Sequence, residues 1–127
     1  MGFVQFANMS KYEYYCNHQA VVVVNGYSAA FRLSKHFQAG QLVLLQRTEM
    51  EEWFYPYMEP WVHFVPLIAN LGDLESRLVW VQDHPDEARL IANQGRDFFD
   101  KYLDANATKH FFAELIKQIH EGTQNLL

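Results

Sequence analysis

Residues Asn25 to Pro66 read NGYSAAFRLSKHFQAGQLVLLQRTEMEEWFYPYMEPWVHFVP. Just before them, Ala20-Val21-Val22-Val23-Val24 is a β-branched run that stops at Asn25-Gly26, which predicts a buried strand and a turn. Ser28 suits the N-cap or first turn of a helix. Ala30, Leu33 and Phe37 then share one helical face, and Ala39-Gly40 ends it. Leu42 to Leu45 predicts a second strand. Glu49 to Tyr57 has helical spacing, with acids in the first turn where the helix dipole favours them, until Pro56 and Pro60 stop it. Val62 to Val65 predicts a third strand, closed by Pro66. Strand, helix, strand, helix, strand predicts an α/β fold: a Rossmann-like parallel sheet with flanking helices.

Outward from this core, Lys11-Tyr12-Glu13-Tyr14-Tyr15 alternates weakly and fits an edge strand within residues 1–19. On the other side the chain reads as helical from 67 to 127. Leu71, Leu74, Leu78 and Val81 keep one face, with Asp73 at its start. His84-Pro85-Asp86-Glu87 opens a further helix, proline first and then acids. Ala88, Ile91, Ala92, Gly95, Phe98, Phe99 and Tyr102 follow at helical period. Asn106 or Thr108 caps a last helix and places Phe112, Leu115, Ile116 and Ile119 inside. The whole, 1–127, reads as a single partial domain.

At 127 residues, 50% hydrophobic and 16% aromatic, the chain can fill a core. Ten Phe, seven Tyr and three Trp are an excess, of the kind a half-domain cut from a larger protein would show. A net charge of −5 with scattered basic residues argues against nucleic acid and anionic membrane as partners. No apolar run is long enough to span a bilayer, and neither a signal peptide nor a retention signal is evident. Cys16 is the one cysteine, which excludes an internal disulfide and a cysteine metal cluster. The six histidines, His110 and His120 among them, have no zinc-motif spacing, so no metal or cofactor is expected.

Two groups of residues carry chemistry. Gly26, Ser28, Ala29, Ala30 and Arg32 form the first: free amides at a helix start can hold a diphosphate, Ser28 can donate to it, and Arg32 can neutralise it. On spacing alone an ordinary turn with a capping serine and a solvated arginine is the plainer reading, since glycine turns before helices are common. Glu51 and Glu52 form the second: a glutamate near the end of a parallel strand can accept both hydroxyls of a ribose. A solvated acidic helix start is the plainer reading. The aromatics Trp53, Phe54, Tyr55, Tyr57 and Trp61 fit a core or a base-stacking surface, and His63 fits a structural role. Asp73, Asp83 and Asp86 look like helix caps, and no catalytic nucleophile or acid/base pair is visible.

From Asn25 to Tyr102 the chain resembles the C-terminal half of glycosyltransferase family 90, the Rumi-like protein O-glucosyltransferases and capsule-associated enzymes. The resemblance rests on Gly26-x-Ser28-Ala29-Ala30-Phe31-Arg32, Ala39-Gly40-Gln41-Leu42-Val43-Leu44, Glu52-Trp53-Phe54-Tyr55 and Glu59-Pro60-Trp61-Val62-His63-Phe64-Val65-Pro66. Asn70-Leu71-x-Asp73-Leu74 and Ala92-x-x-Gly95-Arg96-x-Phe98 extend it. It implies a GT-B enzyme whose C-terminal domain holds a UDP-sugar donor. Residues 26–30 and Arg32 would then face the diphosphate and Glu52 the ribose. It also implies hexose transfer, to a protein serine or a glycan hydroxyl, in the secretory lumen. The family's N-terminal half, which carries the proposed general base, lies outside the match, so this chain alone is expected to be inactive. The alternative is a UDP-sugar-binding or interaction module without catalysis. One departure stands out: in the family the tyrosine-rich strand leads almost directly into the glycine turn, whereas here Cys16 to Val24 lie between.

Overall fold

The computed structural model describes residues 20–24 and 32–126. Three parallel strands form one sheet in the order β1-β2-β3, with β1 at Ala20–Val23, β2 at Leu42–Gln46 and β3 at Val65–Leu67. Helix α1 (Leu33–Gln38) joins β1 to β2. A single 3₁₀ turn, Tyr55–Tyr57, lies between β2 and β3. Beyond the sheet follow α2 (Leu74–Asp83), α3 (Pro85–Phe98), a π-helical turn (Phe99–Leu103) and α4 (Ala105–Leu126). This is the α/β arrangement expected, a parallel sheet covered by helices.

The sheet separates two apolar clusters. Alternate residues of a strand face opposite ways, so Val21, Val23, Val43 and Leu45 enter one cluster and Leu42, Leu44, Val65 and Leu67 the other. β2 is apolar on both faces because both are covered, the usual condition of a parallel strand. Leu33 and Phe37 of α1 fill the first cluster with Phe54, Tyr55 and Met58 from the β2–β3 connection. Both crossovers thus lie on one face, as a stepwise strand order with crossovers of one hand requires. Leu74, Leu78 and Val81 of α2, with Ala88, Ile91 and Ala92 of α3, cover the other face. Gly40, at φ +73°, turns the chain from α1 into β2.

Four expectations need correction. The acidic-aromatic segment 49–57 is not a helix: only Tyr55–Tyr57 turn, as 3₁₀. A helix that must stop at Pro56 is too short to repay its nucleation, and Phe54, Tyr55 and Met58 are each drawn into the core. The third strand starts at Val65 instead of Val62, and Pro66 lies inside it. Residues 59–64 use their hydrogen bonds locally: the Val62 and His63 amides donate to the Glu59 carbonyl, and the Trp61 amide donates to the Phe64 carbonyl at 2.7 Å. Pro66 is tolerated because β3 is an edge strand of the described sheet. The last helix is longer than expected and starts at Ala105, before Asn106 and Thr108. Its stripe is not inside: Phe112, Leu115, Ile116 and Ile119 are 37, 39, 65 and 60% exposed. Asp83 is the last residue of α2, so it caps no helix start. Among the described residues no helix is long and apolar enough to cross a membrane.

Candidate functional site

The carboxyl ends of β2 and β3 open into a cavity of about 350 Å³. Gln46, Arg47 and Thr48 line it from the end of β2, and Leu67 and Ile68 from the end of β3. Glu51, Tyr55 and Met58 from the crossover and Asp73 and Arg77 from the start of α2 complete the wall. Parallel sheets place ligands in this position, because strand ends are fixed by the ladder while the loops beyond them are free to vary. A second cavity, of about 370 Å³, lies between the 59–63 turn and α3, with Tyr57, His63 and Tyr102 in its wall.

Two acids and two arginines give the first cavity its chemistry. Asp73 does more than begin α2. Its two carboxylate oxygens accept from the Ile68 amide at 3.1 and 3.3 Å, and it pairs with Arg77 Nε at 3.5 Å. Arg77 Nε also donates to the Pro66 carbonyl at 3.2 Å, and its guanidinium lies 4.8 Å from the Trp61 ring centroid. Trp61 is held at φ +65° by the tight 59–64 turn, and its ring meets Trp80 edge-on. The turn itself is pinned by His63, whose Nδ1 accepts from the Glu59 amide at 2.9 Å. Arg47 is exposed at the mouth of the cavity, and its backbone amide donates to the Leu67 carbonyl.

Tyr55 is buried, and its hydroxyl has no hydrogen-bond partner among the described residues. Burial, followed by the charges of Glu52 and Glu51, pushes it up to about 12. Burial also raises the Glu52 carboxyl above the usual range.

Of the residues singled out for donor binding, Gly26, Ser28, Ala29 and Ala30 lie outside the described residues. Arg32 is exposed at the N-cap of α1. Since α1 runs back from the β1 end to the start of β2, its N-terminus lies on the carboxyl-end side of the sheet. Glu52 is half-buried and does not line the cavity, whereas Glu51 forms part of its wall. Asp73 and Arg77 were passed over in sequence, Asp73 as a cap and Arg77 altogether. An Asp and an Arg four residues apart on a helix start, just after a strand ending in proline, were the available signal. His63 and Trp61 keep the structural roles expected of them.

Residues 4–121 match the family model of glycosyl transferase family 90. The chain belongs to that family. Protein O-glucosyltransferase 3 of Homo sapiens is 38% identical over 121 residues, which cover 95% of this chain and 22% of the relative. Protein O-glucosyltransferase 2 of Danio rerio is 30% identical over 118 residues, covering 93% of this chain and 22% of the relative. Protein O-glucosyltransferase 1 of Rattus norvegicus is 30% identical over 104 residues, covering 82% and 26%. The chain therefore spans about a quarter of the length of these relatives.

Proposed function

We propose that this chain is the donor half-site of a sugar-transferring enzyme of GT-B design, holding a UDP-hexose in the cavity beyond β2 and β3. The relatives are protein O-glucosyltransferases by name, which supports glucose as the sugar and a protein as the acceptor; the serine or glycan hydroxyl rests on the family resemblance. The observation that carries the reading is the position of the cavity: a family 90 chain opens a strand-end crevice where parallel α/β folds take nucleotides. In this reading the nucleoside enters the crevice with its ribose toward Glu52 and Glu51. The diphosphate lies toward Arg32 and the amides of residues 26–30. Charge develops on the departing diphosphate in the transition state, and a guanidinium with helix-start amides would stabilise it there more than in the ground state. The reading needs no metal or other cofactor. The base that activates the acceptor hydroxyl comes from a part of the enzyme outside this chain, which leaves the chain by itself inactive. The compartment proposed with it, the secretory lumen, rests on the family resemblance.

Calorimetric titration with UDP and UDP-glucose tests the proposal. Saturable binding of both is expected, with Arg32→Ala losing about tenfold or more, as expected when a charged hydrogen bond to phosphate is removed. Heat of dilution alone with the intact chain would remove the donor assignment.

A further inference from the structure

Arg77 is fixed on three sides. The Asp73 carboxylate and the Pro66 carbonyl both meet its Nε, at 3.5 and 3.2 Å, and the Trp61 ring supports its plane. Both polar contacts engage Nε, so neither occupies a terminal amino group of the guanidinium, and Arg77 forms part of the cavity wall. Asp73 stands beside it in the same wall, its own orientation set by the Ile68 amide. Because Asp73 compensates its charge, Arg77 is a poor match for a phosphate and a good one for a neutral oxygen. The cavity therefore presents, side by side, a rigid hydrogen-bond donor that cannot accept and a carboxylate that cannot donate.

We propose that Arg77 and Asp73 read the base of the nucleotide, selecting a ring that pairs a carbonyl with an adjacent ring N–H. This deepens the donor-site reading above and rests on it. The carbonyl accepts from an Arg77 amino group and the ring N–H donates to Asp73. Uracil carries that edge. Cytosine in the same pose turns an amino group toward Arg77 and an unprotonated nitrogen toward Asp73, so two donors and two acceptors face each other. Sites that leave buried polar groups unpaired in this way reject the wrong ligand strongly. The support from Trp61 and Pro66 matters because a guanidinium held in place loses little entropy when it binds.

The test compares UDP, CDP and pyrophosphate by calorimetry on the intact chain, on Arg77→Met and on Arg77→Lys. The wild-type chain is expected to hold UDP at least about tenfold more tightly than CDP, as one mispaired charged hydrogen bond requires. Arg77→Met, which keeps the apolar stem against Trp61, should bring the two affinities together while leaving pyrophosphate binding unchanged. Arg77→Lys keeps the charge beside Asp73 and serves if the Met variant does not fold; it should narrow the ratio as well, because an ammonium lacks the planar fork. Equal affinity for UDP and CDP in the wild-type chain, or a ratio that survives both substitutions, overturns the base-reading role and leaves the donor site standing. Absence of UDP binding altogether overturns both.

Discussion

His63 holds the 59–64 turn with an unprotonated nitrogen: Nδ1 accepts the Glu59 amide, so the ring proton sits on Nε2. Burial pulls its pKa below 6.5, against the smaller upward pull of the Glu59 charge. His36 behaves alike: fully buried and joined to Gln41, it too is lowered from 6.5, chiefly by burial. As pH falls through 6.5, the unfolded chain takes up protons that the native chain refuses, so their contribution is complete above 6.5 and is lost toward the lowered native values. Glu52 acts in the opposite sense: its raised pKa gives a contribution that is present below 4.5 and lost as pH rises through the native value. His63→Asn separates these terms, since the amide oxygen can still accept from Glu59 but cannot titrate. Urea midpoints taken above and below pH 6.5 should fall less on acidification in the variant than in the parent, and parallel curves would refute the assignment. Gly95 offers a second test at this scale. A Cβ there would stand 2.9 Å from Phe37 Cδ1 and 3.1 Å from the His63 carbonyl, and Phe37 is fully buried. The gain in helix propensity from Gly95→Ala, at most about 1 kcal/mol, is outweighed by overpacking of about 1–3 kcal/mol. Thermal denaturation should show a lower midpoint, and a higher one would mean that α1 moves aside at little cost.

At the scale of elements, α4 is anchored at one end. Phe111 packs on Trp53 and Tyr57, Phe112 on Trp53, and the Thr108 hydroxyl donates to the Tyr102 carbonyl. From Phe112 to Gln124 every residue is exposed. Ile116→Glu should therefore change the unfolding free energy by less than about 0.5 kcal/mol, the usual range for a surface position, whereas Phe111→Ala should cost about 1–3 kcal/mol through lost aromatic packing. Chemical denaturation of the two variants checks this, and a large loss with Ile116→Glu would show the stripe to be covered. The same helix shows where periodicity stops being informative. The spacing of Phe112, Leu115, Ile116 and Ile119 specifies an apolar face but not what lies opposite it. The sheet was legible for the opposite reason. Ala20–Val23 and Leu42–Gln46 are short β-branched or leucine runs bounded by turn residues, and only a strand buried on both faces uses such a run. The segment 49–57 misled because its acids have helical spacing while its aromatics are placed by tertiary packing, which overrides local propensity. The candidate site divides in the same way. Glycine, serine and arginine after a strand are a local pattern, but the Asp73–Arg77 pair becomes part of a site only when β3 ends beside it.

For the whole molecule, the proposed reading separates holding a donor from using it. The cavity is walled by the ends of β2 and β3, the crossover and the start of α2, all between Leu45 and Arg77. On the proposed reading, a nucleotide site built from so compact a stretch survives when the chain stands alone, and transfer does not. Of the acids in the cavity wall, Asp73 is paired with Arg77 and Glu51 is assigned to the ribose on the proposed reading, and no histidine lines the wall. A positioned general base is worth about 10²–10⁴ in rate, and the orientation of acceptor against donor can be worth more. The relatives reach about four times this length, as coverage of 22–26% implies. The purified chain is therefore expected to bind UDP-glucose without transferring glucose. Mass spectrometry of a serine-containing acceptor domain incubated with chain and donor should show no added hexose, while the same titration shows donor binding. Added hexose at an ordinary enzymatic rate would mean that a base and an acceptor surface lie within these 127 residues, and the assignment of the chain as a donor half-site would fail.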